Sequence, residues 1–275
     1  MAVLVFDTFI FRQVKPHMST RFTFLFALVL HTFQLMPSMA MAQTVSIRAD
    51  QWLPFNGNPD SGDPGYMIEL ADIILSDHGL IMDYKPMLWL RSIEAVRKGS
   101  IDCVVGAFID DAPDFVFPDE SWGYSVDTFY VKNNSTWNYE GIESLRGMQL
   151  GVVGGYAYSP ELDVYIENNK STTKIHSINT NNALENHIKM LANGRVDVVV
   201  EIDVVMEAKL KEMGASDKIR AAGTTQHPGH LYIACSPVKK SSKKYTQLFS
   251  EGIQKLRSSG ELSVILAKYG LQDWK

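Results

Sequence analysis

Two short segments of similar sequence, Lys98-Gly-Ser-Ile-Asp-Cys-Val-Val105 and Asn193-Gly-Arg-Val-Asp-Val-Val199, decide the fold. Each follows a stretch with helical spacing, and each runs from a glycine through a β-branched residue and an aspartate into an apolar run. The glycine is typical of a left-handed helix cap, and the apolar run is typical of a buried strand. We expect Asp102 and Asp197 to accept hydrogen bonds from loop amides rather than to do chemistry. The repetition predicts two lobes of similar build.

Strand-like and helix-like segments alternate on both sides of these two segments, which predicts an α/β protein. The predicted strands are 44–49, 80–84, 101–108, 126–131, 149–153, 174–178, 196–200 and 230–235. The predicted helices are 65–77, 89–97, 180–191, 242–257 and 261–269, with two more after 155 and after 200.

The N-terminal 42 residues differ from the rest of the chain. Three basic residues precede a short apolar core, residues 22–30, and the small-residue motif Ala40-Met-Ala42 follows it. This order is typical of a secretory signal peptide, so we predict cleavage after Ala42 and export to the periplasm. An uncleaved membrane anchor is the alternative, which the shortness of the apolar core disfavours. Met18 is an alternative start to Met1.

The composition excludes several classes of protein. Hydrophobic residues make up 45% and charged residues 21% of the 275 residues, which is enough apolar material to bury a core and argues against disorder. The formal net charge of −5 argues against a nucleic-acid partner. Only two cysteines are present, which excludes a disulfide-dense scaffold and a cysteine-rich metal site. His227 and His230 are interpreted as loop residues rather than metal ligands.

Several short motifs follow one another along the chain: Trp52-Leu-Pro-Phe55, Gly65-Tyr-Met-Ile-Glu-Leu-Ala-Asp72, Gly99-Ser-Ile-Asp-Cys-Val-Val-Gly106, Ser144-Leu-Arg-Gly-Met-Gln-Leu-Gly-Val-Val-Gly-Gly155, Asn193-Gly-Arg-Val-Asp197, Leu256-Arg-Ser-Ser-Gly-Glu-Leu262 and Lys268-Tyr-Gly-Leu271. Their order and spacing resemble those of the family 3 extracellular solute-binding proteins, typified by receptors for polar amino-acid uptake. The resemblance implies the type II periplasmic binding protein fold, in which two hinge strands join two α/β lobes around a ligand cleft. Lobe 1 would comprise residues 43–131 and 233–275, and lobe 2 residues 132–232.

The resemblance also implies a function. A monomeric receptor would trap a small polar molecule, amino-acid-like or other, and deliver it to the permease of an ABC transporter, without catalysis, cofactor or metal. One alternative is a sensing module that engages a membrane signalling protein. Another is a dehydratase-like enzyme on the same scaffold, with Glu201, Asp203 or Asp111 as its acid or base.

Ten residues are expected to contact the ligand on the strength of this resemblance. They are Trp52, Trp89, Arg91, Ala107, Phe108, Gly155, Tyr156, Tyr158, Glu201 and Asp203. Trp52 would cover the ligand with its ring, and the amides of the loop 154–158 would receive an anionic group. Arg91 would offer a planar fork to a carboxylate, or else form a surface ion pair with Glu94 or Asp83.

Two departures from the family pattern concern the ligand. The stretch 108–117, where amino-acid receptors carry a carboxylate-binding arginine, has no arginine and carries Asp110, Asp111 and Asp114. Ile202 stands at the position of the family's amine-binding aspartate. Either Arg91 binds a carboxylate instead, or the ligand is cationic, aromatic or neutral.

The two cysteines, Cys103 and Cys235, lie on strands that the family places near each other. Export permits a disulfide between them, but buried thiols are the favoured interpretation.

Overall fold

The computed structural model describes Gln13 and residues 42–275. The predicted signal peptide and its two candidate start residues therefore lie outside the described residues, apart from Gln13 and Ala42. In the described part of the chain, no helix combines the length and the apolar character needed to cross a bilayer.

The first of two five-stranded sheets has the strand order β2-β1-β3-β10-β4. Its strands are β1 (Thr44–Ala49), β2 (Ile81–Pro86), β3 (Cys103–Ala107), β4 (Gly123–Ser125) and β10 (Gly229–Cys235). Strands β1, β2 and β3 are parallel, whereas β10 runs antiparallel to β3 and β4. Helices α1 (Tyr66–Asp77), α2 (Trp89–Arg97), α6 (Ser242–Ser259) and α7 (Glu261–Lys268) pack on this sheet or on one another. We call this half lobe 1.

The second sheet has the order β7-β6-β8-β5-β9 and forms lobe 2. Its strands are β5 (Asp127–Lys132), β6 (Leu150–Val153), β7 (Ile175–Ile178), β8 (Val198–Ile202) and β9 (Ile219–Thr224). Helices α3 (Pro160–Asn169), α4 (Ala183–Ala192) and α5 (Asp203–Glu212) belong to this half, and short 3-10 helices lie at Ile109–Asp111 in lobe 1 and Ile142–Leu145 in lobe 2.

The predicted similarity of the two lobes is confirmed at their matching aspartates. Asp102 accepts a hydrogen bond from the amide of Ser46 (2.9 Å), and Asp197 accepts one from the amide of Gln149 (2.9 Å). In return the amides of both aspartates donate to the carbonyls of the same two partners. Each aspartate thus joins the start of its strand to the start of the neighbouring parallel strand.

The chain crosses between the sheets earlier than the predicted lobe boundaries. Strand β5 pairs only with the strands of lobe 2, β8 and β9, and β10 pairs with β3 and β4 of lobe 1. The crossings are therefore at residue 126 and at residues 225–228. An apolar run predicts a strand but does not specify which sheet it joins. The three-residue strand β4 and the six-residue strand β9 were not predicted.

The expectation of two buried thiols was wrong. Cys103 and Cys235 form a disulfide with an S–S distance of 2.00 Å, and both side chains are fully buried. They are direct partners in the antiparallel pairing of β3 with β10. Residues opposite each other in such a pair project from the same face of the sheet, which brings the two sulfurs together.

Candidate functional site

The cleft between the lobes is lined by residues at the carboxyl ends of the parallel strands, where ligands of open α/β sheets commonly bind. Asp50 and Trp52 follow β1, Phe108 follows β3, and Tyr156 follows β6. Glu201 lies near the end of β8. The two α/β units therefore present these loops to each other.

A small central cavity lies where the two lobes meet. Its volume of about 20 Å³ has room for one group the size of a water molecule. It is lined by Asp50, Trp52, Asn56, Trp89, Val105, Gly106, Phe108, Asp111, Tyr156 and Ala157. A larger cavity of about 500 Å³ adjoins it and shares Asp50, Trp52 and Tyr156. That volume suits a small metabolite.

Aromatic rings surround the central cavity. Tyr156 of lobe 2 lies edge-on to Trp52 (6.0 Å between ring centroids) and to Trp89 (6.3 Å), both of lobe 1. Trp52 also packs on Phe55 at 4.6 Å. Both tryptophans are buried, so their rings belong to the cleft and not to the outer surface.

Three hydrogen bonds join the lobes across the cleft, and in each a carboxylate accepts from an uncharged donor. They run from Trp52 Nε1 to Glu201 Oε1 (3.1 Å), from the Tyr156 hydroxyl to Asp50 Oδ2 (2.6 Å) and from the Ala157 amide to Asp111 Oδ1 (3.0 Å). The backbone of Gly155 also approaches Leu90 so closely that a Cβ there would lie 2.4 Å from Leu90 Cδ2. These contacts close the cleft.

Glu201 is the most buried of the carboxylates, with 3% of its surface exposed. Burial raises the pKa of Glu201 to about 8, although the Ile202 amide and Trp52 donate hydrogen bonds that favour the charged form. The nearby charges of Asp127 and Asp50 raise it further.

The other carboxyl groups of the cleft are shifted in the same direction. Burial raises the pKa of Asp111 to about 7 and that of Asp50 to about 6, against opposing hydrogen bonds. Burial likewise raises the pKa of Asp127 to about 6, and its carboxylate accepts from the Ser159 amide at 2.7 Å. None of these groups forms an ion pair with another of the described side chains.

The structure brings five of the ten predicted site residues together. Trp52, Trp89, Phe108 and Tyr156 line the central cavity, and Glu201 contacts it through its bond to Trp52. Ala107 is buried in β3 directly before Phe108, and Gly155 contacts Leu90. Tyr158 lines a separate cavity of about 230 Å³, and its hydroxyl accepts from the Val153 amide.

Arg91 and Asp203 are placed differently. Both are exposed, and neither lines the cavities described above. The two ion-pair partners predicted for Arg91 contact other cations: Asp83 pairs with Arg48 and Lys85, and Glu94 with Lys98. Asp203 is the first residue of α5, where an acidic side chain is favoured by the helix dipole.

Six residues that line the central cavity were not among the predicted ligand contacts, and three of them carry polar side chains. Asp50 and Asn56 flank Trp52, and Asp111 was considered only as a departure from the family and as a candidate acid. Gly106 allows the Asn56 side chain to approach, because a Cβ at that glycine would lie 2.9 Å from Asn56 Oδ1. The position of Asp50, directly after a predicted strand and two residues before Trp52, was the available signal.

A metal centre is not indicated within residues 42–275, where no three His, Cys, Asp or Glu side chains are grouped to hold an ion.

No family model matches the chain. The chain is 21% identical over 229 residues to a "Probable histidine-binding protein" of Campylobacter jejuni, an alignment that covers 82% of this chain and 83% of the relative.

Solved structures share the fold. An ancestral arginine-binding protein bound to arginine is 22% identical, with a TM-score of 0.68 over 83% of this chain and 99% of that one. A histidine kinase sensor domain with similarity to periplasmic binding proteins is 20% identical, with a TM-score of 0.68 over 84% and 99%. The chain therefore has the type II fold of the periplasmic binding proteins, and its resemblance to family 3 of the solute-binding proteins is confirmed.

Proposed function

We propose that this protein is an exported receptor that traps a small polar solute between its two lobes and delivers it to the permease of an ABC transporter. The observation that carries the proposal is the set of three hydrogen bonds that join the lobes around the central cavity. Such bonds connect side chains far apart in the chain, so they form only when the lobes approach each other.

Binding would proceed by hinge closure. Only residue 126 and residues 225–228 connect the sheets, and the amide of Thr225 donates to the carbonyl of Asp127 between these two crossings (2.9 Å). A rotation at these crossings opens the cleft without disturbing either sheet. A solute that contacts both lobes then favours the closed arrangement by its differential affinity for it.

The disulfide supports export. A disulfide between Cys103 and Cys235 persists in an oxidising compartment such as the periplasm, and cytosolic thiols stay reduced. The predicted cleavage after Ala42 leaves the first strand, which starts at Thr44, intact.

The test is a thermal-shift and calorimetric screen of the exported protein against small polar metabolites, cationic, neutral and anionic. We expect at least one class to raise the melting temperature in proportion to the logarithm of its concentration. The variant Trp52→Ala should lose this response. The matched variant Trp137→Ala, which alters a tryptophan of lobe 2 outside the cleft, should retain it. No stabilisation by any solute contradicts the proposal.

An acid–base enzyme on the same scaffold is the second candidate, because burial holds the pKa of Glu201 near neutrality, where a general acid or base works best. Incubation of the protein with the solute that stabilises it distinguishes a receptor from an enzyme. It should be recovered unchanged by NMR after prolonged incubation if the protein is a receptor, and a product that Glu201→Gln abolishes would favour the enzyme.

A further inference from the structure

Three residues on the wall of the central cavity, Asp50, Asn56 and Asp111, carry carboxylate or amide oxygens. Asp50 and Asp111 both line it and both belong to lobe 1. Neither forms an ion pair with another described residue, and the lining includes no Lys, Arg or His. A positive charge beside them would stabilise both carboxylates in their ionised form within the closed cleft.

Asn56 supplies an independent indication. It is 1% exposed, and its Nδ2 donates to the carbonyl of Asp50 at 2.5 Å, which fixes the orientation of the amide. Its Oδ1, which faces Gly106 on the wall of the cavity, accepts no hydrogen bond. A buried acceptor without a donor is costly, so this oxygen indicates that a donor completes the site.

The aromatic rings favour the same kind of group. Trp52, Trp89 and Tyr156 all line the cavity, and the faces of such rings attract ammonium and guanidinium cations. The volume of about 20 Å³ has room for one water-sized nitrogen group of such a cation, and the adjoining cavity of about 500 Å³ has room for the rest of the molecule.

The central cavity offers no cationic side chain to a carboxylate of the ligand. The Ala157 amide, the donor that the loop after β6 would offer to an anion, is occupied by Asp111 at 3.0 Å. Lys209, the lysine on the wall of the larger cavity, is paired with Glu212 at 2.6 Å. Among the described residues, no cation is left in the central cavity to bind a carboxylate.

We propose that the ligand is a small organic cation without a carboxylate, an amine or a guanidine, whose charged group binds among Asp50, Asp111 and the Oδ1 atom of Asn56. The proposal rests on the proposed function and names the class of solute. The carboxylate of Asp111 already binds the Ala157 amide, in the loop that the resemblance assigns to an anionic group of the ligand.

The test compares pairs of compounds that differ only by a carboxylate: agmatine with arginine, histamine with histidine, and cadaverine with lysine. Binding to the exported protein is measured by calorimetry at one ionic strength. For at least one pair, we expect the amine to bind at least tenfold more tightly than the amino acid. An amino acid that binds as tightly as its amine overturns the proposal and leaves the solute-binding function standing.

The other outcomes are equally decisive. Binding of neutral or anionic solutes alone overturns the ligand class but not the function. No binding by any compound in the full metabolite screen contradicts both.

For the bound amine, Asp50→Asn and Asp111→Asn should each lower the affinity at least tenfold. The matched variant Asp119→Asn, which alters an exposed residue of the same lobe, should not change it. Unchanged affinity in both cleft variants also overturns the proposal.

Discussion

The carboxylate of Asp111 in lobe 1 accepts a hydrogen bond of 3.0 Å from the backbone amide of Ala157 in lobe 2. The loop that contains Ala157 was expected to bind an anionic group of the ligand. It does bind a carboxylate, but one that belongs to the protein. Asp111 lies in the stretch 108–117, where the resemblance implies an arginine. The same residue therefore reverses the charge of that stretch and occupies the Ala157 amide.

The first prediction concerns the contact between Gly155 and Leu90. Gly155 has a φ of +90°, and a Cβ would lie 2.4 Å from Leu90 Cδ2. The variant Gly155→Ala should therefore hold the lobes apart, since the new methyl group clashes with Leu90 on closure. The positive φ also strains the loop in either arrangement. We expect a larger radius of gyration by small-angle X-ray scattering and at least tenfold weaker solute binding.

The control for this prediction removes the clash. The double variant Gly155→Ala, Leu90→Ala should recover part of the affinity, because only the backbone strain remains. Equal affinities for the single variant and the unaltered protein would show that the lobes do not meet at this contact.

The second prediction compares the matching aspartates of the two lobes. Asp102 is 8% exposed and accepts hydrogen bonds from the amide and hydroxyl of Ser46 and from Lys239 Nζ, whereas Asp197 is exposed and accepts one from Gln149. We expect Asp102→Ala to lower the free energy of unfolding by about 3 kcal/mol and Asp197→Ala by about 1 kcal/mol. Urea denaturation measures both, and equal losses would contradict the argument from burial.

The sequence predicts the parts of the fold that depend on local periodicity. The bounds of β1 (Thr44–Ala49) and α2 (Trp89–Arg97) are as predicted, because alternating or helically spaced apolar residues mark them. Strand β9 escaped prediction because its central residues, Ala221-Ala222-Gly223, have low strand propensity. The role of Asp102 as an acceptor for loop amides was also predictable, since it needs only a neighbouring strand.

The parts that were not predicted depend on pairing between distant segments. The disulfide depends on the register of β3 against β10. The two cysteines are 132 residues apart in the sequence, so no local pattern indicates that they meet. Asp50 and Asn56 line one cavity with Tyr156 of lobe 2, which donates a hydrogen bond to Asp50 from a distant part of the chain. The resemblance indicated Trp52 and Tyr156 but not these neighbours, because the family pattern concerns amino-acid ligands.

The third prediction concerns this disulfide. The double variant Cys103→Ser, Cys235→Ser should lower the free energy of unfolding by about 2–5 kcal/mol, because the bond restricts a long loop in the unfolded chain. Urea denaturation measures the loss. The oxidised protein should show no reactive thiol in denaturant before reduction and two after it. Two reactive thiols before reduction would contradict the assignment.

The last prediction is a pH dependence that comes from Glu201. Burial raises the pKa of Glu201 to about 8 from a usual value of 4.5, so between these two values the folded protein holds a proton that the unfolded chain releases. Stability must therefore fall as the pH rises through this window.

Glu201→Gln removes the titration but keeps an oxygen that can accept a hydrogen bond from Trp52. From pH 6.5 to pH 9 we expect the unaltered protein to lose on the order of 2 kcal/mol more than the variant. Burial lowers the pKa of His187, but that group titrates below this range and is common to both proteins. Parallel urea-denaturation curves for the two proteins across the range would mean that Glu201 is charged in the folded state and that the cleft is hydrated around it.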